Sequence, residues 1–235
     1  MTGATAPPRA WWTTLKGRPT EDRLMFGAGP VMEGDAEARR AALRHIVEDV
    51  IKPLDKGDPL DGVTIPTRYV ATEAVDPDAL TGSDGRRLPD VFRASDLTVV
   101  SEAVADVLAQ LDMGRGRVLP VEFFEHDGIT RIDARMGVLI PGNVKDTVTD
   151  VSDAVRMTRS ASRRHLPGAF FFARYSHGAD AVALSEEAAD PPDIWVEPRF
   201  VSALFFSERA RAALDAAGLA NALDLRPVPI GRPLP

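Results

Sequence analysis

The most informative segment of the sequence is Leu204-Phe205-Phe206-Ser207-Glu208-Arg209, near its C-terminal end. It closes a mostly apolar segment, residues 201–206, whose length predicts a buried strand. Ser207 and Glu208 then predict a helix start, because a serine hydroxyl accepts from a free N–H of the first turn and a carboxylate favours the positive helix end. The predicted helix ends at Gly218 and leads to a last strand at 223–228. This region is therefore predicted to be strand–helix–strand.

The same order of residues occurs earlier in the chain. Pro89-Asp90-Val91-Phe92 is followed by Val99-Val100-Ser101-Glu102, a short helix and Leu119-Pro120, just as Pro192-Asp193-Ile194-Trp195 is followed by the C-terminal stretch. We therefore predict an α+β fold, a mixed sheet with short helices and two similar strand–helix–strand modules. The alternative is that these few shared residues agree by chance.

Residues 1–88 are predicted to be a turn-rich N-terminal part with one amphipathic helix, and residues 89–235 an α+β domain in one compact unit. Asp35 is the predicted cap of that helix and Pro53 its predicted end. Its apolar face follows helical spacing through Leu43, Ile46, Val47, Val50 and Ile51. A strand is expected within 64–72.

The turns and strands of residues 117–184 are predicted mainly from the positions of their glycines. A strand at 117–125 turns at Gly128 into a short strand at 129–133, and Gly137 is expected to be a break. Two further strands are expected at 168–175 and 182–184. A helix is predicted from the helical spacing of Val144, Val148, Val151 and Val155, although β-branched residues have a lower helix propensity.

Composition narrows the classes of function. The 235 residues carry 28 Lys and Arg against 35 Asp and Glu, for a net charge of −7. Such a chain repels nucleic-acid phosphate and anionic lipid, so we expect neither as a partner and favour a basic protein. The longest apolar runs are about a fifth of the roughly 20 residues of a membrane span. The absence of cysteine excludes disulfides and thiolate metal sites, and with no signal peptide at the start we expect a cytoplasmic protein.

His126-Asp127 is the sharpest candidate for catalysis. A His-Asp pair can hold a metal in phosphohydrolases, but only with further ligands at set spacings. Here the pair precedes Gly128 at a predicted hairpin, where a solvated turn is the simpler interpretation. We assign no catalytic residue, metal or cofactor, and keep an uncharacterised hydrolase using His126 and Asp127 as an alternative.

An acidic loop beside an aromatic residue is the candidate binding surface. It comprises Glu186, Glu187, Asp190 and Asp193, next to Trp195. An acidic rim around an aromatic anchor suits a basic protein partner. The alternative is a solvated loop with Trp195 in the core.

The C-terminal stretch also resembles a known family. Ser207-Glu208-Arg209, Ala217-Gly218-Leu219 and Leu225-Arg226-Pro227-Val228 resemble the end of a bacterial immunity family, the imm-eleven type, that accompanies secreted polymorphic toxins. The earlier segments Val100-Ser101-Glu102, Leu119-Pro120-Val121 and Ile132-Asp133 resemble its preceding part. The resemblance covers residues 89–230.

The resemblance implies inhibition by binding. An immunity protein occludes a cognate toxin in the producing cell and needs a complementary surface rather than catalytic residues. We therefore expect a non-catalytic toxin inhibitor, as a monomer or homodimer. A structural component of a bacterial secretion system remains a further alternative.

Overall fold

The computed structural model describes residues 9–13, 26–33, 35–58, 60–72, 88–151, 182–198, 200 and 203–231. The fold is α+β, as predicted, with strands in three sheets and several short helices. Five α-helices lie in this part of the chain: α1 (Gly29–Glu33), α2 (Ala36–His45), α3 (Lys52–Lys56), α4 (Glu102–Leu108) and α5 (Glu208–Ala216).

The N-terminal helical region begins as predicted but ends later. Asp35 caps α2, its Oδ1 accepting from the N–H groups of the second and third helical residues at 2.9 and 2.8 Å. A π-helical turn (Ile46–Ile51) joins α2 to α3, and the chain passes through Pro53 to Gly57, where φ is 72°. Pro53 was wrongly expected to stop the helix. It lies in the first turn of α3, directly after the π-helical turn, and the chain stays helical through it.

The largest sheet has six strands in the order β2-β3-β6-β7-β5-β4. The β3–β6 pair is parallel and the other pairs are antiparallel. Its strands are β2 (Phe26–Ala28), β3 (Arg68–Ala71), β4 (Val91–Ala94), β5 (Leu97–Ser101), β6 (Arg117–Phe124) and β7 (Met136–Ile140).

A second sheet joins the two ends of the sequence. Its order is β10-β11-β1-β12, antiparallel throughout. The strands are β1 (Arg9–Thr13), β10 (Ile194–Trp195), β11 (Leu204–Ser207) and β12 (Arg226–Pro229). Because β1 completes this sheet while β2 and β3 extend the other, the predicted boundary at residue 88 does not separate two sheets.

A two-stranded sheet, β8 (Val148–Val151) with β9 (Val182–Leu184), lies beside β12. An isolated parallel bridge joins Leu184 to Ile230. The helix expected from the valine spacing is therefore wrong for Val148 and Val151, which pair in a strand. Extended pairing suits β-branched side chains better than a helix does. Val155 and the strand expected at 168–175 lie outside the described residues.

Two other local predictions need correction. Gly137 lies inside β7 rather than at a break. A glycine is needed at this position because an added Cβ would lie 2.4 Å from Val118 Cγ1. The strand expected at 129–133 reduces to a single bridge between Arg131 and Phe124. The partner of β6 is β7 instead.

The two predicted modules are built alike. In each, a two-stranded hairpin (β4–β5 or β10–β11) leads directly into a helix (α4 or α5) whose cap is a serine, Ser101 or Ser207. Each serine Oγ accepts from the N–H three residues on, at 3.4 Å for Ser101 and 3.1 Å for Ser207. The backbone N–H of each serine donates to the carbonyl of the aspartate that precedes the hairpin, Asp90 at 2.8 Å for Ser101 and Asp193 at 2.9 Å for Ser207.

A third strand in each module allows the two modules to be aligned residue by residue. In the first module β7 lies between β5 and β6; in the second β1 lies between β11 and β12. Ser101 is opposite Met136 and Ser207 is opposite Ala10, so Gly137 and Trp11 hold equivalent positions. Their partners on the far strand are Pro120 and Pro227. The sequence did not predict this third strand, because it comes after β6 in one module and from the N-terminus in the other.

The two modules share one hydrophobic core. Helices α4 and α5 contact each other, and Val104, Leu108, Ala210 and Leu214 pack with residues from both sheets. On the opposite faces, each sheet has its own core: one packs against the π-helical turn through Ile46 and Val50, the other against β8 and β9.

Candidate functional site

Three residues of the predicted acidic loop form a surface patch. Glu186 and Glu187 lie on a short 3-10 helix (Glu186–Ala189), Asp190 follows it, and all three side chains are exposed. We call these three residues the acidic patch. Its base is fixed, since Ala188 is fully buried and the Ser185 N–H donates to the Thr147 carbonyl at 2.7 Å. The patch therefore presents its charges from a constrained backbone.

The other two residues of the loop lie in the interior. Trp195 is 0% exposed and Asp193 is 4% exposed. The Trp195 ring stacks on Phe205 with centroids 5.8 Å apart. Trp195 is therefore not an exposed anchor, and the alternative in which it belongs to the core is the arrangement found. It is buried because β10 pairs with β11 and turns this side chain into the core shared with β8 and β9.

The Asp193 carboxylate links the start of β10 to the start of α5 and to the segment after α4. It accepts from the Ser207 hydroxyl at 2.5 Å, from the Asp112 N–H at 2.8 Å and from the Arg209 guanidinium. Burial acts to raise its pKa, but the hydrogen bonds from Arg209, Ser207 and Asp112 outweigh it and the pKa is lowered. Asp193 thus stays ionised as a structural acceptor at the start of α5.

A second carboxylate, Glu197, is fully buried next to Trp195. It accepts from the Thr147 N–H at 3.1 Å, from the Thr147 hydroxyl and from Trp195 Nε1 at 3.2 Å. Burial raises its pKa above the ordinary glutamate value. Sequence reasoning missed this residue, because its partner Thr147 is 50 positions away.

Lys145 connects the buried Trp195 to the acidic patch. Its Nζ lies 4.1 Å from the centre of the Trp195 ring and donates to the Asp190 carbonyl. Burial lowers the pKa of Lys145. Trp195 therefore contributes to the patch only indirectly, as the support for a lysine that fixes Asp190.

His126 and Asp127 form a surface turn. Both side chains are exposed. Asp127 Oδ1 accepts from the N–H groups of Ile129 and Thr130 at 2.8 Å, and Oδ2 accepts from the Thr130 hydroxyl at 2.6 Å. The Thr130 hydroxyl and these N–H groups lower the pKa of Asp127. His126 Nδ1 lies 3.2 Å from the Ala71 carbonyl. The geometry is that of the solvated turn, which was the simpler interpretation of the pair.

A cleft of about 820 Å³ opens between α4 and strands β6 and β7. Its apolar floor includes Ala105, Leu108, Val118, Pro120, Val121, Met136 and Gly137. Its rim is charged, and much of that charge is paired: Arg135 with Glu102 at 2.9 Å and Arg131 with Glu122 at 3.3 Å. Sequence reasoning did not find this cleft, because no local pattern places α4 over the β6–β7 pair.

The equivalent space in the second module is filled. Trp11 lies there, and its Nε1 donates to Glu208 Oε2 at 2.8 Å. The Arg211 guanidinium lies 4.4 Å from the centre of the Trp11 ring. The two modules therefore share a framework and differ in whether an indole occupies the space between helix and sheet.

A scan against models of known protein families finds no match, and no curated protein matches the chain. Among the described residues, no helix has both the length and the apolar character that crossing a bilayer requires. In the same part of the chain, no three His, Cys, Asp or Glu side chains converge as a metal site would need.

Proposed function

We propose that this chain is an immunity-type protein that binds and neutralises a cognate bacterial toxin in the cytoplasm of the producing cell. The observation that carries the proposal is the pair of matching modules. The residues on which the family resemblance rests, Val100-Ser101-Glu102 and Ser207-Glu208-Arg209, hold the same place at a strand-to-helix junction. The resemblance therefore concerns one repeated structural unit rather than scattered identities.

The acidic patch is the surface we propose for the toxin. Its three carboxylates are exposed and adjacent, on a backbone anchored by Ala188 and Lys145. A fixed cluster of like charges accelerates association with a basic partner and loses less entropy on binding than a mobile loop does. The net charge of −7 adds long-range attraction of the same sign.

Co-expression with the product of the adjacent gene tests the function. We expect growth to be restored in cells that make the toxic neighbour, and a complex of the two proteins on gel filtration. An unrestored culture together with the absence of a complex would overturn the proposal.

Charge reversal tests the surface. Glu186→Lys, Glu187→Lys and Asp190→Lys together are expected to slow association at least about tenfold at low salt and to abolish its salt dependence. The matched control is Glu37→Lys, Asp49→Lys and Asp133→Lys, which changes the net charge equally at exposed positions elsewhere. Equal effects of the two sets would place the toxin surface elsewhere.

A further inference from the structure

The two modules provide an internal comparison for the cleft beside α4. Position by position, Glu102 corresponds to Glu208, Gly137 to Trp11 and Pro120 to Pro227. In the second module the indole of Trp11 lies against the helix and donates to the glutamate that begins it. In the first module the corresponding glutamate and Gly137 both line the cleft of about 820 Å³.

The cleft of the first module contains residues equivalent to those around the Trp11 indole in the second module. Pro120 and Val118 form part of the apolar floor, and Glu102 stands on the rim as an acceptor. Glu102 accepts from the Arg135 guanidinium at 2.9 and 3.3 Å, and a carboxylate has capacity for a further donor. At the position of Arg211 the first module has Ala105, whose short side chain lines the cleft.

We propose that this cleft is a receptor for a tryptophan side chain of a partner protein, with the indole N–H donating to Glu102. The indole does not come from β7 itself, because a Cβ at Gly137 would lie 2.4 Å from Val118 Cγ1. The volume of about 820 Å³ falls in the range of about 300–1,000 Å³ that ligand sites occupy. It leaves room for peptide backbone next to the ring.

The rim favours a polypeptide over a free indole. Three arginines and three acidic residues line the cleft together: Arg117, Arg131, Arg135, Glu102, Asp106 and Glu122. Paired charges around an apolar centre are the arrangement that excludes water from a buried aromatic anchor in protein interfaces. The proposal does not depend on the partner being a toxin, because it rests only on the comparison of the two modules.

The test is a titration of the ¹⁵N-labelled full chain with N-acetyl-L-tryptophanamide, followed by NMR. We expect saturable shifts at the amides of Glu102, Val118 and Gly137, and none with N-acetyl-L-leucinamide. Glu102→Ala is expected to weaken binding about tenfold, the loss typical of a hydrogen bond to a charged acceptor. Glu208→Ala, at the same position of α5, is the matched control and should leave the affinity unchanged.

Methylation of the indole nitrogen isolates the proposed hydrogen bond. The N1-methyl probe should bind the native protein about tenfold more weakly than the parent probe, and should bind the Glu102→Ala variant as tightly as the parent does. Ala109→Trp, at the exposed end of α4, should block the cleft, whereas Ala212→Trp on α5 should not. A capped tripeptide with a central tryptophan should bind more tightly than free indole.

Three results would overturn the proposal. One is the absence of saturable shifts at the cleft. Another is equal affinity of the methylated and parent probes for the native protein. The third is equal affinity of the tripeptide and free indole, which would make the site a small-molecule pocket.

Discussion

Ser207 donates its hydroxyl hydrogen to Asp193 at 2.5 Å while its oxygen caps α5, and Ser101 does the same with Asp90 at 2.7 Å while capping α4. Each serine thus joins the start of a hairpin to the start of a helix. The bond matters because it fixes the angle at which the helix leaves the sheet, and with it the space between them.

Removing the aspartates should show how strongly each junction depends on this bond. We expect Asp193→Ala to lower the free energy of unfolding by about 2–3 kcal/mol, since it leaves Ser207 and the Asp112 N–H without a buried charged acceptor. Asp90→Ala, at a half-buried position, should cost about 1 kcal/mol. Urea unfolding measures both, and equal losses would contradict the larger role of Asp193.

The pH dependence of stability should reveal the buried Glu197. Because burial raises its pKa, the folded protein binds this proton more tightly than the unfolded chain does. Its contribution to stability is then greatest below the ordinary value of 4.5 and is lost as the pH rises through the folded pKa. Glu197→Gln does not titrate, so the native protein should lose stability relative to this variant as the pH rises.

The expected change is about 1.4 kcal/mol for each unit by which the pKa is raised. Denaturant unfolding of both proteins across this pH range provides the measurement. Glu187→Gln makes the same replacement at an exposed position and is the matched control. Parallel curves for Glu197→Gln and the native protein would show that Glu197 has an ordinary pKa.

Gly137 should be intolerant of even a methyl group. Its added Cβ would lie 2.4 Å from Val118 Cγ1 and 3.0 Å from the Leu119 carbonyl, so we expect Gly137→Ala to cost about 1–3 kcal/mol. Val118→Ala removes the closer of these contacts. The double variant should therefore be less destabilised than the sum of the single variants, and strict additivity in thermal unfolding would disprove the close approach.

Trp11→Gly should give the second module a space like that of the first. The loss of a half-buried indole is expected to cost about 2–4 kcal/mol. Added indole should restore part of it by binding the folded state, so that Tm rises more in the variant than in the native protein. An equal rise in both proteins would show that Trp11 leaves no usable space behind.

The elements that the sequence predicted well are those whose causes are local. The capping residues Asp35, Ser101 and Ser207 directly precede the helices that they begin, so a few consecutive residues are enough to predict these helix starts. Trp11 and Gly137 show the limit. Their roles depend on strands that pair across the chain, and no nearby residue indicates that one fills a space and the other leaves it open.

The same limit applies to the candidate site. The exposure of Glu186, Glu187 and Asp190 followed from their polarity and their position in a proline-terminated loop. The burial of Trp195 depended on its stacking with Phe205, ten positions on, and on the partner strand β11. Glu197 had no local signal at all, because what makes it unusual is a threonine from a distant segment.

The place of β1 between β11 and β12 has a consequence for biosynthesis. A ribosome that adds about 5–20 residues per second releases residues 9–13 roughly 10–40 s before the strands that flank them in the finished sheet. The module that contains β4 to β7 needs nothing later than Ile140 for its own strand pairs and can form during that interval. Until β11 and β12 are synthesised, the nascent chain would therefore expose the β1 segment that contains Trp11 and Trp12, and a chaperone that recognises exposed aromatic residues would bind it in that interval.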